Sequence, residues 1–208
     1  MARRIGHLIP RIEICGGIGS GKTTLAQKLE ASGYCTIYEK FDNHPFLQNF
    51  YLDTTKYAFE TEITFSLQRL HALKTNDAKA LIVTDCSLEQ DYAYAKNNLT
   101  PSEFSAFDAV FSEIIYQIGT ANLVVYLKCP VRVLLERIKK RNRGREQTIE
   151  PAYLSGMIAA LEKRLKASHI NCITIDSDVS DFRKKDAFSE VKTRIVIEYQ
   201  KCANKTVE

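Results

Sequence analysis

Gly16-Gly17-Ile18-Gly19-Ser20-Gly21-Lys22-Thr23 matches G-x-x-x-x-G-K-[ST] at every defined position. Upstream, Arg11-Ile12-Glu13-Ile14-Cys15 has the β-branched content of a strand, and Thr24 to Glu30 reads as a helix. Strand, loop and helix in that order are the context in which the motif carries meaning. Glycines let successive backbone N–H groups turn inward as an anion nest, and the helix N-terminus adds its positive end. Residues 16–24 are therefore the expected cradle of a nucleoside phosphate. Lys22 reaches its outer phosphates, and the Thr23 hydroxyl is a ligand for Mg²⁺.

The 208 residues suit one domain, spanning 1–208, with a mobile lid at about 137–150. With 45% hydrophobic and 26% charged residues, the chain can bury an ordinary core. The formal charge of +4 is concentrated in Lys139-Lys140-Arg141-Asn142-Arg143-Gly144-Arg145, which marks a local site and argues against a nucleic-acid surface. Cys15, Cys35, Cys86, Cys129, Cys172 and Cys202 are scattered without a CxxC pair, so a zinc site is not expected and a reducing compartment is. No apolar run approaches a membrane span. Met1-Ala2-Arg3-Arg4 lacks the apolar segment of a secretory signal, and a strand beginning near Arg11 leaves too little chain for a presequence, so the expected location is the cytoplasm.

Beyond the first helix, Gly33 reads as its stop, and strands are expected at Tyr34–Tyr38, Leu81–Thr84, Ala121–Leu127 and Cys172–Ile175. Pro45 suits the first position of a helix, and a longer helix is expected from about Thr54 to Lys74, with Tyr57, Ala58, Phe65 and Leu70 toward the core. Thr100-Pro101 opens another, with Thr100 as N-cap; further helices follow Pro130, run from Ala152 to Ala167, and end the chain from Asp186 to Lys201. The alternation predicts an α/β fold, a parallel sheet covered by helices on both faces.

Phosphate binding alone does not separate kinase, GTPase and ATPase. No guanine-reading N-K-x-D is found, and a motor or transport ATPase is usually longer. Glu39 stands at the carboxyl end of the second strand, where α/β sheets place ligands. Asp85 closes the third as an acid that holds Mg²⁺ through water. Glu62 and Arg69, seven apart, share a helix face to within about 20°, and Arg137 and Arg141 share another.

These pieces together resemble the deoxyribonucleoside kinases, particularly the small bacterial deoxyadenosine/deoxyguanosine branch. The resemblance covers nearly the whole chain. It rests on the P-loop, Glu39, His44-Pro45-Phe46-Leu47 with Phe50-Tyr51, and Tyr57-Ala58-Phe59 leading to Arg69. It continues through Asp85-x-Ser87 with Asp91, the Arg137/Arg141/Arg143 series, and Asp176-Ser177-Asp178 to Phe182. It implies a P-loop kinase fold with an Arg-rich lid, transfer from MgATP to a deoxynucleoside, and a homodimer. Glu39 becomes the general base on the 5′-hydroxyl, which a hydroxyl acceptor requires and a phosphate acceptor does not.

Tyr51 and Glu146 fit a core position and an exposed charge when read alone; the resemblance gives them the deoxyribose 3′-hydroxyl. It gives Arg69 and Asp91 the base edge, favouring a purine or cytosine, and Arg137, Arg141 and Arg143 the phosphates. Asp176 and Asp178 fall beside the donor's adenine. Two positions depart from the family pattern. Glu62 stands where Gln is usual, leaving the preferred base open, and Cys86 replaces an Arg that helps position the catalytic Glu and the phosphates. The alternatives are a nucleotide-binding protein that has left catalysis and a nucleoside monophosphate kinase.

Overall fold

The computed structural model describes residues 9–76, 81–143, 146 and 149–205. Strands β1 (Arg11–Gly16), β2 (Cys35–Ile37), β3 (Ile82–Thr84), β4 (Leu123–Lys128) and β5 (Cys172–Asp176) form one sheet in the order β2-β3-β1-β4-β5. Every pairing is parallel. Each strand lies within two residues of its expected ends. Helices α1 (Lys22–Glu30), α2 (Leu47–Leu52), α3 (Ala58–Lys74), α4 (Leu88–Asn98), α5 (Pro101–Ile118), α6 (Val131–Arg141), α7 (Pro151–Ala167) and α8 (Lys185–Lys205) surround it.

Alternate side chains of each strand point to opposite faces, and both faces are covered. Ile12, Ile14, Leu123, Val125 and Leu127 pack with Leu25, Ala26 and Leu29 of α1 and Val191 and Ile195 of α8. Across the sheet, Cys15, Val124 and Tyr126 meet Ala93 of α4 and Leu161 of α7. Beyond them α3, α4 and α5 share a core built on Ala58, Leu73, Leu88, Phe107, Phe111 and Ile114. Thr100 caps α5 in a full capping box with Glu103, and Asn142 ends α6 at φ 49°.

Three elements differ from expectation. Pro45 does not open a helix. His44 Nδ1 accepts the Phe46 N–H at 3.3 Å, and α2 begins only at Leu47. The helix expected from Thr54 begins at Ala58, because Asp53 Oδ1 accepts the Lys56 N–H at 3.0 Å and holds the preceding residues in a turn. Helix α4 was not anticipated. Its buried residues, Leu88, Glu89, Gln90, Asp91, Ala93 and Ala95, are mostly polar or small and leave no apolar stripe. Its legible signal was the cap: Ser87, whose Oγ accepts the Glu89 N–H at 3.2 Å, followed three residues on by Gln90.

The central strand carries two buried charges. Arg11 and Glu13 are 0% and 2% exposed, with Nε to Oε1 at 2.7 Å. The Arg11 guanidinium also donates to the carbonyls of Ile118 (3.0 Å) and Gly119 (2.8 Å), satisfying the C-terminal end of α5. Glu13 Oε2 accepts the Leu88 N–H at 2.9 Å, placing negative charge at the N-terminus of α4. One ion pair thereby fastens two helices to β1. Glu13→Ala leaves Arg11 buried without its partner and should cost about 3–5 kcal/mol of stability in urea unfolding; an apolar Arg11→Met/Glu13→Leu pair should recover only part of it, because the Ile118 and Gly119 carbonyls and the Leu88 N–H lose their partners.

Candidate active site

The P-loop turns between β1 and α1 against β4. Gly16 has φ +146°, and a Cβ there would lie 2.7 Å from the Leu127 carbonyl oxygen; Gly21, at φ +102°, is the N-cap of α1. Neither position accepts a side chain without strain. Ile18 packs against α6 with Leu134 and Ile138, and Gly17 and Gly19 border the same helix. Ser20 is fully buried, and Gln90 Oε1 of α4 accepts the Gly16 N–H at 2.9 Å. Lys22 Nζ folds over the loop to the carbonyls of Gly16 (2.8 Å) and Gly17 (3.2 Å). Burial lowers its ammonium, while Glu39 and Asp85 favour the charged form. Thr24, half-buried, lies in the first turn of α1.

Asp85 joins the loop to the neighbouring strand. Its Oδ2 accepts the Thr23 hydroxyl at 2.7 Å and its Oδ1 accepts the Glu39 N–H at 2.7 Å. Thr23 Oγ1 and the Asp85 carboxylate are adjacent hard oxygen donors, which fits Mg²⁺. Among the described residues no three His, Cys, Asp or Glu side chains form a metal cage. Mg²⁺ is ordinarily held by one or two protein oxygens together with phosphates and water.

Across the cleft the buried face of α3 is polar: Thr61, Glu62, Ser66 and Arg69. Arg69 donates from Nε to Asp91 Oδ2 and from Nη2 to Asp91 Oδ1, both at 2.6 Å, a bidentate pair between α3 and α4. The same Nη2 donates to Glu39 Oε1 at 2.8 Å. Among the described residues Arg69 Nη1, Thr61 Oγ1, Ser66 Oγ and Tyr94 Oη are buried polar atoms without a protein hydrogen-bond partner. Glu62 and Arg69 lie on one face, as their spacing predicts, and Asn98 Nδ2 donates to Glu62 Oε1 at 2.7 Å. Burial pushes the Glu62 carboxyl up to about 8, with Asn98 opposing. Tyr51, half-buried on α2, meets Phe50 edge to face at 5.9 Å.

The Arg-rich stretch folds over the loop. Arg137 donates to Gly19 O (3.4 Å), Ser20 O (3.5 Å) and Ser177 O (2.7 Å), joining the P-loop to the turn after β5. Asp176 and Asp178 flank that turn, both exposed, and Phe182 approaches Gly21. Arg141 Nε and Nη2 both bond Glu146 Oε2, the former at 2.7 Å, and Arg143 lies 3.8 Å from Oε1. Glu146 is thus buried beneath the lid arginines. Arg145, like residues 1–8, Gly144, Gln147 and Thr148, lies outside the described residues.

Three contacts escaped the sequence reading: Arg69 to Glu39, Gln90 to the P-loop, and Asn98 to Glu62. The last two were readable only with α4 in place, since Asp91 and Asn98 are seven apart on it and share a face. Cys86 is buried, and its carbonyl accepts the Thr84 hydroxyl at 2.6 Å. The cation that grips Glu39 comes from α3.

The deoxynucleoside kinase family model matches residues 12–202. The chain belongs to the deoxynucleoside kinase family. It is 29% identical over 184 residues to a deoxyguanosine kinase of Bacillus subtilis (strain 168), covering 83% of this chain and 89% of that one. A deoxyadenosine/deoxycytidine kinase of the same strain is 26% identical over 164 residues, covering 73% and 76%. A solved deoxyadenosine kinase from M. mycoides with bound dCTP superposes with TM-score 0.77 at 22% identity, covering 89% and 98%, a likeness of fold. As a deoxynucleoside kinase the chain is a phosphotransferase, and its P-loop and Arg-rich lid are parts of that fold.

Arg69→Lys keeps a charge but loses the fork that serves Asp91 and Glu39 together. It should lower kcat/KM in a steady-state phosphoryl-transfer assay by about 100-fold, the scale of a misplaced catalytic group.

Proposed function

We propose that the chain transfers the γ-phosphoryl group of MgATP to the 5′-hydroxyl of a deoxynucleoside, with Glu39 as general base. The observation that carries this reading is the position of Glu39. Its backbone is tied through Asp85 to the P-loop threonine, and its carboxylate to the arginine on the opposite wall. A carboxylate so placed stands between a phosphate cradle and a polar pocket, where a hydroxyl loses its proton as the phosphoryl group arrives.

Donor phosphates lie on the backbone N–H groups of residues 16–24, with Lys22 on the outer oxygens. Thr23 and Asp85 hold Mg²⁺, which when bound neutralises charge on the phosphate oxygens. Asp176 and Asp178 border the donor's base. Arg137 stays on the loop, while Arg141 and Arg143 leave Glu146 for the transferring group as the lid closes and water is expelled. Freed, Glu146 joins Tyr51 at the 3′-hydroxyl. Glu62, Arg69 and Asp91 read a purine or cytosine, consistent with the substrates for which the relatives are named. Arg69 supplies the grip on Glu39 that Cys86 does not, which supports catalysis over a retired nucleotide binder.

The reading extends to a homodimer, by family analogy, and to the cytoplasm. Glu39→Gln should leave deoxynucleoside binding in place and lower kcat by about 10²–10⁴, the range for losing a general base. Full activity in that variant removes Glu39 from the role.

A further inference from the structure

Two carboxyl groups converge on the Arg69 guanidinium, and a third lies on the same buried face of α3. Asp91 takes two N–H bonds from Arg69 at 2.6 Å, and Glu39 takes a third at 2.8 Å. One guanidinium therefore already serves two carboxyl groups, all on side chains nearly closed to solvent, and burial pushes the Asp91 carboxyl up to about 7 against the pull of Arg69. Glu62 is the third carboxyl. It is 5% exposed, and its recorded hydrogen bond comes from a neutral group, the Asn98 amide at 2.7 Å. That amide nitrogen also lies 3.4 Å from the Tyr153 hydroxyl of α7.

The titratable and charged groups around Glu62 can be named element by element. Arg69 is on its own helix, Asp91 and Tyr94 are on α4, Tyr153 is on α7, and Glu39 follows β2. Arg69 is the one cation named in this set; its Nε and Nη2 bond the other two acids, and it offers Glu62 no hydrogen bond, only the pull of its charge at a distance. A second uncompensated anion here would be expensive to bury.

We infer that Glu62 works as a neutral carboxylic acid whose O–H donates a hydrogen bond to an acceptor atom of the nucleobase, a ring nitrogen or an exocyclic oxygen. The inference rests on the proposed kinase reading for the identity of the ligand. One carboxyl oxygen faces Asn98, and the protonated group offers the base a donor beside an acceptor. The direction in which burial moves the Glu62 carboxyl, up to about 8, agrees with the geometry. Substrate affinity then depends on a proton that a glutamine would carry permanently as N–H.

The test is calorimetric titration of the full chain with deoxyadenosine, deoxyguanosine and deoxycytidine, without ATP, for wild type and Glu62→Gln. Above about pH 8 the wild-type Kd should rise, approaching tenfold per pH unit, the limit for one required proton. The Gln variant should bind with a flat profile. Equal wild-type affinity from about pH 6 to about pH 9.5 overturns the inference alone. Failure of both proteins to bind any deoxynucleoside overturns the kinase reading and the donor role with it.

A second readout needs no ligand. The unfolded Glu62 ionises near 4.5, whereas the folded one keeps its proton to about 8. Between these values the unfolded chain binds fewer protons, so wild type should lose stability relative to Glu62→Gln as pH rises. The gap in urea midpoint should stop changing above about pH 8. A gap constant across that window means that Glu62 is ionised throughout and contradicts the inference.

Discussion

The guanidinium of Arg69 ties together what the pocket must do. Its flat fork grips Asp91 on α4 with two N–H groups and reaches the loop after β2 to hold Glu39. A lysine has the charge but not the planar geometry to serve both. The buried cation is tolerable because carboxyl groups surround it, and at Asp91 it opposes the burial that pushes that carboxyl up to about 7. Helix α3 can therefore bury a polar face against α4, and the acid nearest the P-loop is oriented by a residue on the far wall.

The same economy appears in the scaffold. Arg11 and Glu13 place a second buried pair in the central strand, where an apolar run would be the ordinary choice. Through it β1 binds the end of α5 and the start of α4. Helix α4 then returns to the P-loop through Gln90 and to α3 through Asp91. P-loop, polar face of α3 and central strand are thus linked by hydrogen bonds. The Asp85 carboxylate closes the circuit by touching both Thr23 and the Glu39 backbone.

The sheet was legible because its strands are β-branched runs ended by turn residues, and the P-loop because its geometry demands glycine at fixed places. Helix α4 was not, since its buried face is Glu, Gln, Asp and Ala and carries no apolar period. On α3 the apolar residues Tyr57, Phe65 and Leu70 turned out to be only partly buried, whereas Glu62, Ser66 and Arg69 lie deeper. A hydrophobic pattern marks the wall of a core and overlooks the wall of a site. The 62/69 spacing revealed a shared face, but not that Arg69 would choose Glu39, thirty residues away, as well as Asp91. That choice depends on how β2 and α3 approach each other, and no local signal encodes it. Cys86 reads as a missing cation at one position; the arginine that bonds Glu39 in the fold is Arg69, a residue that the family pattern already includes.

The central claim is that Glu39 serves a hydroxyl acceptor. The direct measurement is product analysis by mass spectrometry after incubating the chain with MgATP and deoxyadenosine, deoxyguanosine or deoxycytidine, and in parallel with their 5′-monophosphates. The account predicts 5′-monophosphates from at least one free nucleoside and no diphosphate from any monophosphate. Diphosphates formed from the monophosphates, with the free nucleosides left unchanged, would contradict it.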